Sequence, residues 1–335
     1  MQIYQLLKVG DLKYMKKLKL IVLIILLVSI SLSIIYVRRV LIGNYRVKQE
    51  ESMDKKKTEN NTLKFAVLGD VHGDIKKLQN AINDVHSIDG NMDTLILNGD
   101  NVDQGVKMQY YALELTLWKN KNIIPKKIIK NIGNHDYFDY SKGTNKPKDV
   151  QHFIKMYLDF AGEKSVYHDT WIKGYHFISL GSETGNTKKL GSVDAFLSQN
   201  QFSWLKEKLG QKYKKNRPIF VFLHQNLDSS IGWKGLKEDQ EKELRDILSS
   251  YPEVILFTSH THILLNIDNV KTNLPFTTAH TGAVRYAIKP EKDGIKRFYN
   301  ESQGLYVQVN GNKVLIKGRD FVKKEWVFSK EVVHY

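Results

Sequence analysis

Five short apolar runs in this chain each end on a residue able to hold a metal ion, and that recurrence narrows the folds open to it. Lys64–Leu68 runs into Gly69-Asp70, Thr94–Leu97 into Gly99-Asp100, and Lys127–Ile132 into Gly133-Asn134. Ile219–Leu223 ends at His224, and Val254–Thr258 delivers Ser259-His260. Between the first two runs, Ile75, Leu78, Ala81, Ile82 and Val85 recur at helical spacing. Further helices are predicted around Met108–Trp118, Val150–Phe160, Gln201–Leu209 and Lys237–Leu248, and a further strand over Tyr175–Leu180. Strands alternating with amphipathic helices indicate an α/β fold, in which ligands gather at the carboxyl ends of the strands. The tail changes character: Leu305–Val309 and Val314–Lys317 flank Asn310-Gly311-Asn312, a tight-hairpin signal. Strands there are expected to complete a second sheet packed on the first.

The chain has no cysteine, which excludes disulfides, thiolate zinc sites, cysteine nucleophiles and lipidated cysteines. Its net charge is +15, and residues 1–60 carry 12 Lys/Arg against 5 Asp/Glu, so the head contributes +7 and the remainder +8. No nucleic-acid-binding motif accompanies the lysines, which read as a solvated surface. A positive field still favours anionic substrates or an anionic membrane.

Leu20–Val37 is uncharged, and its 18 residues make a helix of roughly 27 Å, close to the hydrocarbon thickness of a bilayer. Lys13, Lys16, Lys17 and Lys19 precede it; Arg38 and Arg39 follow. No small-residue cleavage site follows directly, so the segment reads as a retained signal anchor. The expected organisation is a basic cytoplasmic tail (1–19), a transmembrane anchor (20–37), a polar stalk (38–62) and a domain at 63–335. The short lysine-rich tail stays inside, which places that domain outside the cell on a single-pass membrane protein.

The blocks Gly69-Asp-Val-His-Gly73, Gly99-Asp-Asn-Val-Asp103, Gly133-Asn-His-Asp136 and Ser259-His-Thr-His262, with His224, form one candidate site. Its ligands are Asp70, His72, Asp100, Asn134, His224, His260 and His262. On extended backbone, residues two apart point to the same side, so Asp70 with His72, and His260 with His262, grip as pairs. Oxygen donors mixed with neutral imidazoles suit Mn, Fe or Zn, and Asp100 is the carboxylate placed to bridge two ions. Two divalent ions about 3.5–4 Å apart clamp a phosphate ester, and a hydroxide held between them attacks phosphorus in line. His135 then protonates the leaving group, with Asp136 keeping its imidazole charged. Any one block alone is an ordinary turn or cap, and Asp103 reads as the cap of the next helix. Their joint order at strand termini carries the functional reading. His86, His152, His168, His176, His280 and His334 have no comparable setting and read as structural or exposed.

These blocks resemble the calcineurin-like metallophosphoesterase superfamily, from Lys64 to His262. The resemblance implies a four-layer α/β/β/α sandwich. It also implies one metal on Asp70, His72, Asp100 and His262, another on Asp100, Asn134, His224 and His260, and His135 as the acid. Ser259 stands where the family usually has Gly. Gln104 replaces a phosphate-gripping Arg of the protein serine/threonine phosphatases, which argues against a phosphoprotein monoesterase; Arg285 is a candidate substitute. The stretch from Ser182-Glu183 through Trp204-Leu205 and His224 to the Tyr251-Pro252 strand looks closer to exported phosphodiesterases akin to class III cyclic-nucleotide enzymes. The expectation is a phosphodiesterase acting on a phosphate-ester small molecule, a nucleotide or a lipid head group. The alternatives are a phosphomonoesterase or pyrophosphatase, and a non-catalytic surface scaffold.

Overall fold

The structure is a computed structural model that describes residues 62–227, 233 and 235–334, together with Lys19, Leu23 and Leu26, which are helical. The predicted tail, anchor and stalk therefore lie almost wholly outside the described residues. Among the described residues no helix is long and apolar enough to cross a membrane.

The first strand, β1 (Leu63–Leu68), shows why the apolar runs are continuous. Leu63, Phe65 and Val67 face one core while Ala66 and Leu68 face another. A strand buried on both faces cannot alternate with polar residues. It pairs in parallel with β2 (Thr94–Asn98), which pairs in parallel with β3 (Lys127–Asn131). Three helices cover the outer face: α1 (Ile75–Ile88), α2 (Lys107–Lys119) and α3 (Pro147–Ala161). Asp74 starts α1 by accepting the Lys77 N–H at 3.0 Å, and Pro147 opens α3. Gly162 closes α3 at φ +74°. Leu78, Leu113, Phe153 and Tyr157 on these helices pack against Leu68, Leu95 and Leu97.

A second sheet has the order β4 (His168–Ile172), β5 (Tyr175–Ser179), β6 (Ile219–Phe222), β7 (Val254–Thr258), β9 (Thr277–His280) and β8 (Val270–Lys271). Its four central strands are parallel. Helices α4 (Gln199–Gly210) and α5 (Glu238–Ser249) cover its outer face through Phe202, Leu205, Leu244 and Leu248. Between the sheets lies an aromatic core in which Phe65 meets Phe177, Phe220 and Phe257 edge-on, at ring-centroid distances of 5.2, 5.0 and 6.0 Å. Three cores separate four layers, helix, sheet, sheet, helix, as the resemblance implied.

The tail corrects one expectation. Its strands do not form the second sheet. β12 (Gln303–Asn310) pairs antiparallel with β1, and β13 (Lys313–Asp320) and β14 (Glu325–Val333) extend the same sheet outward. Leu305, Val307 and Val309 join the inter-sheet core beside Leu63, Phe65 and Val67, a burial that the second sheet did not require. Gly311 and Asn312 make the hairpin turn, with Gly311 at φ +62°. Six strands carry no clear signal in the sequence: β4, β8, β9, β14, and the pair β10 (Ala287–Glu291) and β11 (Gly294–Phe298), which form a hairpin apart from both sheets.

Candidate metal centre

Every strand that precedes a predicted ligand ends two or three residues before it: β1 before Asp70, β2 before Asp100, β3 before Asn134, β6 before His224 and β7 before His260. The backbone at most of these ligands is not extended. Asp70, His72, Asp100, His260 and His262 all have positive φ, between 47° and 75°. They lie on loops in the left-handed region, so a tight reversal, not strand alternation, turns them toward one another. Such backbone is uncommon for residues other than glycine and collects at functional sites. Backbone hydrogen bonds hold it: Asp70 N–H to the Gly99 carbonyl at 3.1 Å and His72 N–H to the Asp100 carbonyl at 2.8 Å.

The seven side chains converge. His72 Nε2 lies 2.9 Å from His262 Nε2 and 3.8 Å from Asp70 Oδ1, and His262 Nε2 lies 3.4 Å from that same oxygen. In a neighbouring group, His224 Nε2 stands 3.2 Å from Asp100 Oδ2, and His260 Nδ1 stands 3.0 Å from Asn134 Oδ1. Asp100 Oδ2 is also 3.7 Å from His72 Nε2, so one carboxylate oxygen faces both groups.

The surrounding backbone aims these atoms. Asp100 Oδ1 accepts the His135 N–H at 2.8 Å and Asp70 Oδ2 accepts the His260 N–H at 3.0 Å, leaving the opposite oxygens turned inward. His224 Nδ1 pairs with the Asn98 carbonyl at 2.9 Å and His262 Nδ1 with the Tyr286 carbonyl at 3.0 Å. Those contacts place a proton on each Nδ1 and turn the Nε2 atoms toward the centre. Gly133 has to be glycine, because a Cβ there would land on the Asp100 carboxylate.

Burial sets the electrostatics. It would depress the His72 and His224 imidazoles, but the carboxylates facing them prevail: Asp103 and Asp70 at His72, and Asp100 at His224. Both imidazoles rise to about 9. At His260 and His262 burial prevails, lowering them to about 3 and about 4. Desolvation works against ionised Asp70 and Asp100, yet the imidazoles around them hold both below the usual carboxylate range. Asp70 Oδ1, His224 Nε2 and His260 Nε2 are buried with no hydrogen-bond partner. Inward-facing orphan donors of mixed oxygen and nitrogen type fit divalent metal ions.

A family model for calcineurin-like phosphoesterases matches residues 63–264. The chain belongs to that family. Metal-dependent hydrolysis of phosphate esters follows from the membership and from the donor set. No curated protein matches the sequence. Among solved structures it is similar to a dimetal phosphatase from Danio rerio (TM-score 0.57, 12% identity, 82% of this chain and 99% of that one). It is similar also to a purple acid phosphatase from yellow lupin seeds (TM-score 0.57, 10% identity, 81% of this chain and 54% of that one). A third is GAP50, the anchor in the inner membrane complex of Plasmodium (TM-score 0.54, 15% identity, 82% and 89%). At those identities the likeness is one of fold.

The structure reassigns several residues around the centre of this phosphoesterase. Asp136 does not hold the His135 ring. It is fully buried and accepts from Tyr110 Oη and Gly133 N–H, both at 2.7 Å, and burial together with the Asp100 charge lifts it to about 7. The partner of His135 is Asp103, whose carbonyl oxygen lies 3.0 Å and carboxylate 3.7 Å from Nδ1. Asp103 caps no helix: Val106 fills the cap position of α2, and the Asp103 carboxylate pairs with Arg285. No local pattern distinguishes Asp103 from a cap, because its partners His72, His135 and Arg285 are all remote in sequence. Gln104 accepts the Tyr140 N–H at 2.7 Å and so positions a loop. Ser259 Oγ bonds Asn98 Nδ2 at 2.9 Å and Thr281 Oγ1 at 2.6 Å, behind the ligands. His280, which the sequence reading set aside, is buried and bonds the Ser259 carbonyl at 2.9 Å and Thr261 Oγ1 at 2.7 Å. It braces the loop that carries His260 and His262.

At pH 7 the metal-free centre carries protons on His72 and His224, and ligation needs neutral imidazoles. Metal uptake should therefore release about two protons per chain. Affinity should climb as pH rises toward about 9, because the raised imidazoles lose their protons only there. Calorimetry in buffers of different ionisation enthalpy measures this; uptake without proton release contradicts it.

Proposed function

We propose that this protein is a phosphodiesterase working with two divalent transition-metal ions, Mn, Fe or Zn. Asp70, His72, Asp100 and His262 would hold one ion, and Asp100, Asn134, His224 and His260 the other. When bound, the ions would neutralise phosphate charge and make an adjacent water acidic enough to act as a nucleophile near neutral pH. The remaining work falls to side chains. The His135 ring lines a cleft of about 490 Å³ that also reaches Asp100, Asn134, His260 and His262. With Nδ1 held by Asp103, its second nitrogen is left to protonate the departing oxygen. Arg285 fixes the Asp103 carboxylate and with it the ring.

The observation that favours a diester is the state of the cations. Gln104, at the position of a phosphate-gripping arginine, is spent on the Tyr140 backbone. Of the two arginines lining the cleft, Arg285 is committed to Asp103, and Arg297 lies on the exposed outer hairpin. A dianionic monoester gains most from an uncommitted guanidinium fork, whereas a monoanionic diester needs it less.

Protein lacking residues 1–60 and supplied with Mn is expected to hydrolyse bis(p-nitrophenyl) phosphate with higher kcat/KM than p-nitrophenyl phosphate. Asn134→Ala and His224→Ala should weaken metal retention. His135→Ala keeps the amide that orients Asp100, so it should retain metal and lose about 10²–10⁴ in kcat. A monoester preference would point instead to a phosphomonoesterase, and full diester activity in His135→Ala would remove the proposed acid.

The uncharged 20–37 segment supports placing this activity outside the cell on a membrane anchor. Cells producing the full chain should then cleave a membrane-impermeant diester, with the protein retained in carbonate-washed membranes. Activity released only on lysis contradicts that placement.

A further inference from the structure

One wall of the cleft is a separate piece of architecture. The β10–β11 hairpin stands apart from both sheets, and its two feet bring Arg285, Tyr286, Arg297 and Tyr299 to the cleft. The feet are fixed. The Lys77 ammonium donates to the carbonyl of Arg285 on one foot and to those of Tyr299, at 2.6 Å, and Glu301, at 3.1 Å, on the other. Arg285 N–H bonds the Asp70 carbonyl at 3.0 Å and Ile288 N–H the His262 carbonyl at 2.7 Å, so the wall is tied to the ligand loops themselves.

An aromatic path leads outward along this wall. The His262 ring stacks on Tyr286 with centroids 4.3 Å apart and planes inclined by 27°; Tyr286 meets Tyr299 at 5.5 Å. Tyr299 is 67% exposed although it lines the cleft. Tyr140, also exposed, lines the same cleft. Among the described residues Val193 is the sole aliphatic side chain lining the cleft, and the cleft's other apolar surface is aromatic: Tyr140, Trp233, Tyr286 and Tyr299. Flat rings suit a planar aromatic group attached to a phosphate, because they offer π faces on which a base can stack.

We propose that the hairpin wall selects nucleoside phosphodiesters, with the base stacked on Tyr299 and Tyr286 and the phosphate at the ligand cluster. This rests on the diesterase reading above and adds the substrate class. Stacking of one base is enough for roughly tenfold discrimination, about 1.4 kcal/mol.

The test uses the Mn-loaded full chain and three diesters with the same leaving group: thymidine 5′-(p-nitrophenyl phosphate), methyl p-nitrophenyl phosphate and p-nitrophenylphosphorylcholine. The expected kcat/KM for the nucleoside ester is about tenfold above that for the methyl ester. Tyr299→Leu is expected to lower this ratio about fivefold or more, and Tyr299→Phe to preserve it. Equal rates on the nucleoside and methyl esters, a ratio unmoved by Tyr299→Leu, or a preference for the choline ester overturns the nucleoside assignment and leaves the diesterase reading standing. Failure to cleave any of the three overturns the diesterase reading itself, and the nucleoside assignment falls with it.

Discussion

A desolvated carboxylate, Asp100, faces two groups of imidazoles at once, and the rest of the architecture keeps it there. One of its oxygens is spent on the His135 amide, and the other looks toward His72 and His224. Ionised in a dry interior, it is stable only while positive charge surrounds it. Protonated His72 and His224 meet that need in the metal-free protein, and divalent cations meet it when bound. Protons and metal thus compete for one set of donors.

Two parallel-centred sheets are the means. Each brings ligand loops to the carboxyl ends of its strands, and the phenylalanine core between them fixes how far apart those loops lie. β1, β2 and β3 deliver Asp70, Asp100 and Asn134; β6 and β7 deliver His224, His260 and His262. The left-handed backbone at five of these positions is held by cross-loop hydrogen bonds. The tail strands contribute through the same core, since β12 seals the free edge of β1.

The ligand residues were legible in the sequence because each follows an apolar run whose end can be read from composition alone. How they turn inward was not: strand alternation would pair Asp70 with His72, whereas both occupy loops at positive φ. Asp103, not Asp136, partners His135 for a related reason. A carboxylate one residue from His135 looks like its natural partner, but Asp136 is drawn into the core by Tyr110, and Asp103 reaches the ring across 32 positions of chain. Contacts of that range leave no local pattern. The same applies to β12, whose partner strand lies over two hundred residues away, and to the β10–β11 hairpin, which has few buried residues to mark it.

We propose that Asp100 is shared by two ions, and electron paramagnetic resonance of the Mn-loaded protein reads this out. The account predicts two equivalents of Mn per chain with the multiline signal of an exchange-coupled pair, and loss of that coupling in Asp100→Asn. A single equivalent, or two that give only the spectrum of isolated ions, would contradict it.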